Sequence, residues 1–254
     1  MAIGKKDVGK KVCEKCGGMQ FILTNEGPVP CECRQEELLK KRLKAAKIPR
    51  RYENKTIDTF AGNDKRRRQL RNDANAYVKG FPPTEGKKGL LFLGTTGCGK
   101  THLAIGILKA IINKGYTGYY CNIIDFFRML KETYISDTGY DELVILERIG
   151  SADFLVLDDL GAEKPTEWKI DRLYTIVNRR YEQNLPILVT TNKRDTEELK
   201  EHVGERIISR LYEMCQIIDY FPDEDYRMRG LDLSHHLSEK RTTSTENRTG
   251  GGRD

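Results

Sequence analysis

The 254-residue sequence has no run of about twenty consecutive apolar residues, the length a helix needs to cross a bilayer. Its opening, Met1-Ala2-Ile3-Gly4-Lys5-Lys6, lacks the apolar core of a secretion signal. Neither membrane contact nor export is expected, and the chain reads as cytoplasmic. A large excess of one charge is also missing. Lys and Arg number 44 against 38 Asp and Glu, a net charge of +6 in a chain that is 32% charged. This excludes a polycation and permits contact with phosphate backbones without establishing it. Seven cysteines in a reducing compartment do not make a disulfide framework. Four of them cluster near the start, which points to a metal. The length suits one sizeable α/β core with a small accessory module.

The strongest signal is Gly94-Thr95-Thr96-Gly97-Cys98-Gly99-Lys100-Thr101 between the apolar run Gly89–Leu93 and a helical segment opening at His102. This reads as strand, phosphate loop and helix. A bound triphosphate needs a concave backbone whose amides all face the anion, and glycines supply the left-handed conformations that curvature requires. The helix N-terminus adds a positive end to the same place. Lys100 can reach the β- and γ-phosphates, and the Thr101 hydroxyl can take one octahedral position on Mg²⁺. Residues 94–102 are therefore the expected ATP-binding set. A glycine-rich turn before an ordinary helix is the bland alternative, which the flanking strand and helix argue against. Cys98 inside the loop reads as a small filler.

A second apolar run, Asp153–Leu157, ends in Asp158 and Asp159. Buried parallel strands stay apolar up to their carboxyl ends, where ligands bind, so both carboxylates are expected beside the phosphate loop. Asp158 is the candidate for orienting Mg²⁺, and Asp159 for polarising the attacking water. A third apolar run, Pro186–Thr191, delivers Asn192 to the same sheet edge, where a neutral amide can hold that water or sense the γ-phosphate. The helix Gly204–Leu211 carries Arg206 and Arg210 four apart on one face, with pairing to Glu205 or Glu213 as the bland alternative.

Near the start, Cys13-x-x-Cys16-Gly17-Gly18 is followed by Cys31-x-Cys33. Two close thiolate pairs can complete a tetrahedron around Zn²⁺, and the glycines let amides turn toward sulfur. An iron–sulfur site, a redox pair and unrelated thiols stay open beside this zinc-knuckle reading. With no open position apparent, the metal is expected to be structural and to supply the folding energy of a module too small to fold alone. A helix over 34–46 follows, with Leu39, Leu43 and Ala46 on one face, and Pro49 breaks it. A domain boundary is placed near residue 50. The remaining pattern predicts an extended stretch over 56–60, helices over 63–79, 124–133, 141–149 and 165–183, and strands over 116–121 and 215–220. Arg66, Arg67, Arg68 and Arg71 in the helix over 63–79 read as a solvated face, with packing of this helix beside the nucleotide as the alternative. Residues 233–254 are too polar for a core and read as a disordered tail in which His235 and His236 are solvated.

Taken in order, the phosphate loop, Leu155-Val156-Leu157-Asp158-Asp159-Leu160-Gly161, Thr190-Thr191-Asn192 and Ile208-Ser209-Arg210-Leu211 resemble the DnaC/IstB-type AAA+ ATPases, and among them the helicase-loader branch. The likeness covers roughly 45–230, and the cysteine module is similar to that of loaders from Gram-positive bacteria and their phages. The resemblance implies an α/β P-loop (ASCE) domain over 51–232, with a five-stranded parallel sheet between helices and no C-terminal lid. It implies a nucleotide-dependent homo-oligomer with ATP at subunit junctions. The N-terminal module over 1–50 would grip the replicative hexameric helicase, and the ATPase part would place it on single-stranded DNA. Lys100, Thr101, Asp158, Asp159 and Asn192 match the family's nucleotide motifs. Arg210, with Arg206 in reserve, matches its arginine finger, and Arg227 the arginine after the last strand. Asp159 stands where many relatives carry Glu, about one methylene longer, so slow turnover is expected. An IstB-like helper of a DNA transposase is the alternative within the family. A small-molecule phosphotransferase and a zinc adaptor switched by nucleotide are the alternatives outside it.

Overall fold

The computed structural model describes residues 12–84, 86, 88–135 and 142–228. The expected polar tail and its histidine pair lie outside them. The centre is a five-stranded sheet built from β3 (Gly89–Phe92), β4 (Gly118–Asn122), β5 (Phe154–Leu160), β6 (Ile187–Thr191) and β7 (Cys215–Ile218). All pairings are parallel, and the order is β4-β5-β6-β3-β7. The inner strands β3, β5 and β6 are short, mostly apolar and buried on both faces, as a parallel sheet between helices requires.

Alternation along the strands divides the core in two. Leu90, Phe92, Val156 and Leu188 face one layer with α2 (Lys65–Lys79) and α3 (Lys100–Asn113). Leu91, Leu155, Leu157 and Val189 face the other, with α4 (Ile123–Ile135), α5 (Glu142–Gly150), α6 (Glu167–Glu182), α7 (Thr196–Val203) and α8 (Glu205–Met214). Because β6 lies between β3 and β5, the ends of the phosphate-loop strand and of the acidic strand flank that of the strand leading to Asn192.

Local chemistry sets the helix starts. Asp64 caps α2 by accepting from Arg67 N at 3.0 Å, and Asp195 caps α7 by accepting from Glu198 N at 2.8 Å. The α3 helix has no side-chain cap, since Gly99 occupies that position at φ +103° and leaves its amides to an anion. The core reading of Phe126, Phe127 and Leu130 holds, while Tyr134 at the end of the same face is exposed.

Several expectations need correction. Residues 56–60 form a turn rather than an extended stretch, because the Thr59 hydroxyl accepts from Thr56 N at 2.8 Å and closes the backbone. The α7 helix had no counterpart in the sequence reading, being only eight residues long and polar on its outer face. Arg67 is buried rather than solvated, held by Asp64 at 2.6 Å and Glu224 at 3.4 Å.

The N-terminal module comprises a hairpin of β1 (Phe21–Thr24) and β2 (Gly27–Pro30), then α1 (Glu32–Ala45). Leu39 and Leu43 pack on the α2/α3 layer, Ala46 is fully buried there, and Tyr120 N donates to Ala46 O at 2.8 Å. This helix is therefore part of the sheet's covering layer although it begins at the cysteine cluster. At the opposite end of the strands, the fully buried Arg180 donates to the carbonyls of Gly150, Ala152 and Pro186 at 2.6–3.1 Å. It joins the close of α5 to the entries of β5 and β6, and burial pulls its pKa down to about 9.

Candidate nucleotide and metal sites

The phosphate loop curves as the glycine pattern requires, with Gly94, Gly97 and Gly99 all at positive φ. Contacts from outside demand the same glycines. A methyl group on Gly97 would collide with the Asp225 carboxylate, and one on Gly99 with the Phe60 ring. Lys100 is buried and donates to the carbonyls of Gly94 and Thr95 at 2.8 and 2.6 Å, which keeps its ammonium inside the loop. Burial lowers its pKa, opposed by Cys98 and the two aspartates. The buried Thr95 Oγ1 has no hydrogen-bond partner among the described residues. Cys98 is buried with its thiol on Thr95 O at 3.0 Å, as a filler would be.

Asp158 and Asp159 reach the loop through an irregularity absent from the sequence pattern. Leu157 pairs with Val189 and Leu160 with Thr191, so two residues of β5 oppose the single Thr190 of β6. This bulge sets Asp159 at φ +60°, a left-handed conformation that aspartate tolerates better than most residues. The Asp159 amide is pinned on Thr190 Oγ1 at 3.0 Å, and its Oδ1 accepts from Asn192 Nδ2 at 3.3 Å. Asp158 is 1% exposed and accepts from Thr101 Oγ1 at 2.9 Å. That pairing fits Mg²⁺, whose binding would leave the threonine oxygen on the ion and the carboxylate facing its water shell.

Lys100, Thr101, Asp159 and Asn192 line a cavity of about 500 Å³, within the range that takes a nucleotide, with Asp158 buried behind Thr101. The sequence reading missed part of its wall. Arg51, Tyr52, Thr59 and Phe60 come from the entry segment and Arg67 from α2. Close approach of that segment to α3 brings them here, since a Cβ on Gly106 would strike Ile57 N. His102 lines the wall and touches Thr56 O at 3.0 Å and Thr59 Oγ1 at 3.1 Å, so it also holds the entry segment. Arg227 reaches the rim from the segment after β7, where Tyr226 N donates to Gly97 O at 3.1 Å.

Arg210 lies outside this cavity. Its guanidinium donates to Asn178 Oδ1 and Tyr174 OH, both at 2.8 Å, and lies over the Tyr174 and Tyr181 rings. The carboxylates named as its bland partners are engaged elsewhere, Glu205 by Lys200 and Glu213 by Tyr181. Arg206 is exposed beside it.

The four N-terminal thiols gather as expected. All sulfurs of Cys13, Cys16, Cys31 and Cys33 lie within 4.8 Å of one another, with Cys13–Cys31 at 3.9 Å and Cys16–Cys33 at 3.5 Å. A tetrahedron with metal–sulfur bonds of about 2.3 Å has an edge of about 3.8 Å, so the donor set fits a closed four-thiolate ion. Gln20 N donates to Cys16 Sγ at 3.3 Å, the amide-to-sulfur contact the glycine pair allows. Among the described residues this is the one such His, Cys and carboxylate cluster.

Fold and site together define a P-loop ATPase of the AAA+ class. The chain belongs to the IstB-like ATP binding protein family, whose profile matches residues 20–232. It is 27% identical over 156 residues to the replicative helicase loader DnaC of Escherichia coli, covering 61% of this chain and 62% of that one. It is 30% identical over 201 residues to the insertion sequence IS5376 putative ATP-binding protein of Geobacillus stearothermophilus, covering 77% and 76%. A crystal structure of the DnaC helicase loader superposes with a TM-score of 0.60 at 33% identity, covering 66% of this chain and 98% of that one. Among the described residues no helix is long and apolar enough to cross a membrane.

Two predictions follow from this geometry. Burial, reinforced by the Asp158 charge, raises the Asp159 pKa above the usual aspartate value. Hydrolysis that needs Asp159 ionised should therefore fall as pH drops through that raised value. A kcat profile should show this acid limb, and Asp159→Asn should cut kcat by about 10² or more and abolish the limb. Atomic absorption should find one zinc per chain, and Cys16→Ser should lose it. Wild-type protein purified without metal and with full ATPase activity and an intact module would refute the zinc assignment.

Proposed function

We propose that this protein is an ATP-dependent loader of a hexameric replicative DNA helicase onto single-stranded DNA, acting as a nucleotide-dependent oligomer. The observation that carries this reading is the form of the cysteine module. Its hairpin presents Met19, Leu23 and Val29 to solvent, Leu23 at 80% exposure, while α1 seats the module on the ATPase core. Apolar side chains held out on a metal-closed hairpin suit a protein partner. The likeness to DnaC supports the same reading.

In this reading Lys100 and the amides of residues 94–101 hold the ATP phosphates, and Thr101 and Asp158 direct Mg²⁺. Asp159 orients the attacking water with Asn192 as sensor, and Arg227 contacts the nucleotide from the rim. Zinc on Cys13, Cys16, Cys31 and Cys33 is structural and closes the partner-binding module. Arg210 is the finger that enters a neighbour's site, with Arg206 as the alternative. Its distance from its own cavity and its lack of a carboxylate partner among the described residues support action in trans. The short Asp159 makes slow turnover, hence a nucleotide switch, the expected regime.

An ATPase helper of a DNA transposase is the second reading, favoured by the likeness to the IS5376 protein over three quarters of both chains. The two readings part on the partner. Light scattering after size exclusion, with ATP and Mg²⁺, should show a complex with the host's replicative helicase. Removing residues 1–50 would strip Leu39, Leu43 and Ala46 from the core, so surface variants are the cleaner control. Leu23→Glu with Met19→Glu should lose the complex and keep ATPase activity. Absence of a helicase complex under every nucleotide condition would shift the assignment to a transposase partner.

The finger is tested by mixing. Arg210→Ala and Lys100→Ala proteins should each hydrolyse ATP at less than about a hundredth of the wild-type rate. An equimolar mixture should recover a substantial fraction, because one variant supplies the site and the other the finger. No recovery in mixtures shown to co-assemble would place Arg210 outside the active site, and an active Arg210→Ala protein would do the same.

A further inference from the structure

Asp158 is almost wholly buried, yet no Lys or Arg forms an ion pair with it among the described residues. Hydroxyls surround it instead. Its Oδ1 accepts from Thr101 Oγ1 at 2.9 Å and from Thr190 Oγ1 at 2.7 Å, and its Oδ2 accepts from Tyr120 OH at 2.7 Å. An ionised carboxylate only accepts, so each of these hydroxyls is the donor. It offers about four lone-pair sites, and three are occupied.

Thr101 belongs to the phosphate loop and Thr190 to the strand beside the bulge. Tyr120 comes from the other side, on edge strand β4, two residues before the Asn122 that pairs with Asp158. It is 6% exposed and fixed at both ends. Its amide donates to Ala46 O at 2.8 Å, and its ring lies 6.4 Å from that of Tyr52 on the cavity wall. A side chain held this firmly delivers its hydroxyl to one place.

We propose that Tyr120 is a positioning residue for magnesium: its hydroxyl holds Asp158 Oδ2 so that a single lone-pair site of the carboxylate faces the ion's water shell. Thr101 and Thr190 both act on Oδ1, so among the described residues Tyr120 alone holds the other oxygen. Without it, Oδ2 has two open sites, and the carboxylate can turn about its own bond and meet the water shell in more than one way. The metal would then bind less tightly, while the phosphate loop, which Tyr120 does not touch, would hold the nucleotide as before. The proposal rests on the assignment of Asp158 to magnesium.

The test uses the full chain and Mn²⁺ as a spectroscopic stand-in for Mg²⁺. Tyr120→Phe deletes one oxygen and keeps the ring. Nucleotide affinity is measured with fluorescent ADP in EDTA, and Mn²⁺ affinity by electron paramagnetic resonance with saturating ADP. Expected is unchanged metal-free ADP affinity, within twofold, with Mn²⁺ affinity about tenfold weaker, the lower end for groups that orient metal ligands. Thr190→Ser, which keeps its hydroxyl, should match wild type, and Thr190→Val should weaken Mn²⁺ in the same sense as Tyr120→Phe. Equal Mn²⁺ affinity in wild type and Tyr120→Phe overturns the proposal. So does a variant whose only change is a lower Tm, or one that loses ADP with and without metal alike. If wild type takes up no more Mn²⁺ than Asp158→Asn, the magnesium assignment itself fails, a result distinct from failure at Tyr120.

Discussion

A carboxylate buried at the end of β5 is the most demanding feature of this molecule. Transferring an ionised group from water into a protein interior costs several kcal/mol unless hydrogen bonds replace its hydration. Asp158 meets that demand with hydroxyls drawn from α3, β6 and β4. Three elements distant in sequence must therefore arrive in register before the charge is tolerated. The strand order achieves this by placing β5 between β4 and β6, so that neighbouring strands on both sides contribute a donor. An arginine would satisfy the same carboxylate more strongly, but would also neutralise the charge that a divalent cation needs. Neutral donors stabilise the anion and leave its charge in place.

The phosphate loop is subject to the complementary constraint, since its open amides need an anion and its curvature needs external support. That support comes from the segment before α2 and the segment after β7. The entry segment places Phe60 against Gly99 and Ile57 against Gly106, while the segment after β7 places Asp225 on Gly97 and Phe221 on Gly94. Arg67 ties the two segments together, donating to Asp64 on one side and Glu224 on the other. The loop's outer face is thus packed by parts of the chain that carry no phosphate-binding motif. Its inner face, with the Lys100 ammonium held on the loop carbonyls, lines the cavity.

Much of this was legible in the residues. Gly94, Gly97 and Gly99 announce a backbone of unusual curvature, and an apolar run that stops at two aspartates announces a strand end. Both signals survive because they depend on local conformation and on burial along a single strand. The bulge at Asp158 and Asp159 was not legible, because it is a mismatch between β5 and β6 and exists only once the strands pair. Tyr120 and Arg180 were invisible for a related reason. A tyrosine in a strand and an arginine in a helix are ordinary by type, and only tertiary packing turns one toward Asp158 and the other toward three carbonyls. Arg67 was misread because an arginine-rich helix is normally solvated, whereas here one of the four faces inward against two carboxylates.

The gathering of the four cysteines was legible, but not the packing of their helix on the ATPase core. Cys31 stands at the N-cap of α1 and Cys33 in its first turn, so one of the two thiol pairs is built into the helix itself. At the far end, the carbonyl of Ala46 accepts the amide of Tyr120, the residue whose hydroxyl lies on Asp158. Fourteen helical residues span about 21 Å, and a helix of that length is stiff enough to transmit a displacement from one end to the other. Leu39 and Leu43 pack its middle on the same layer as α3. The helix end and the strand that bears Tyr120 are thus joined by a backbone hydrogen bond. A covalently continuous helix therefore runs from the cysteine cluster to the layer that covers the sheet.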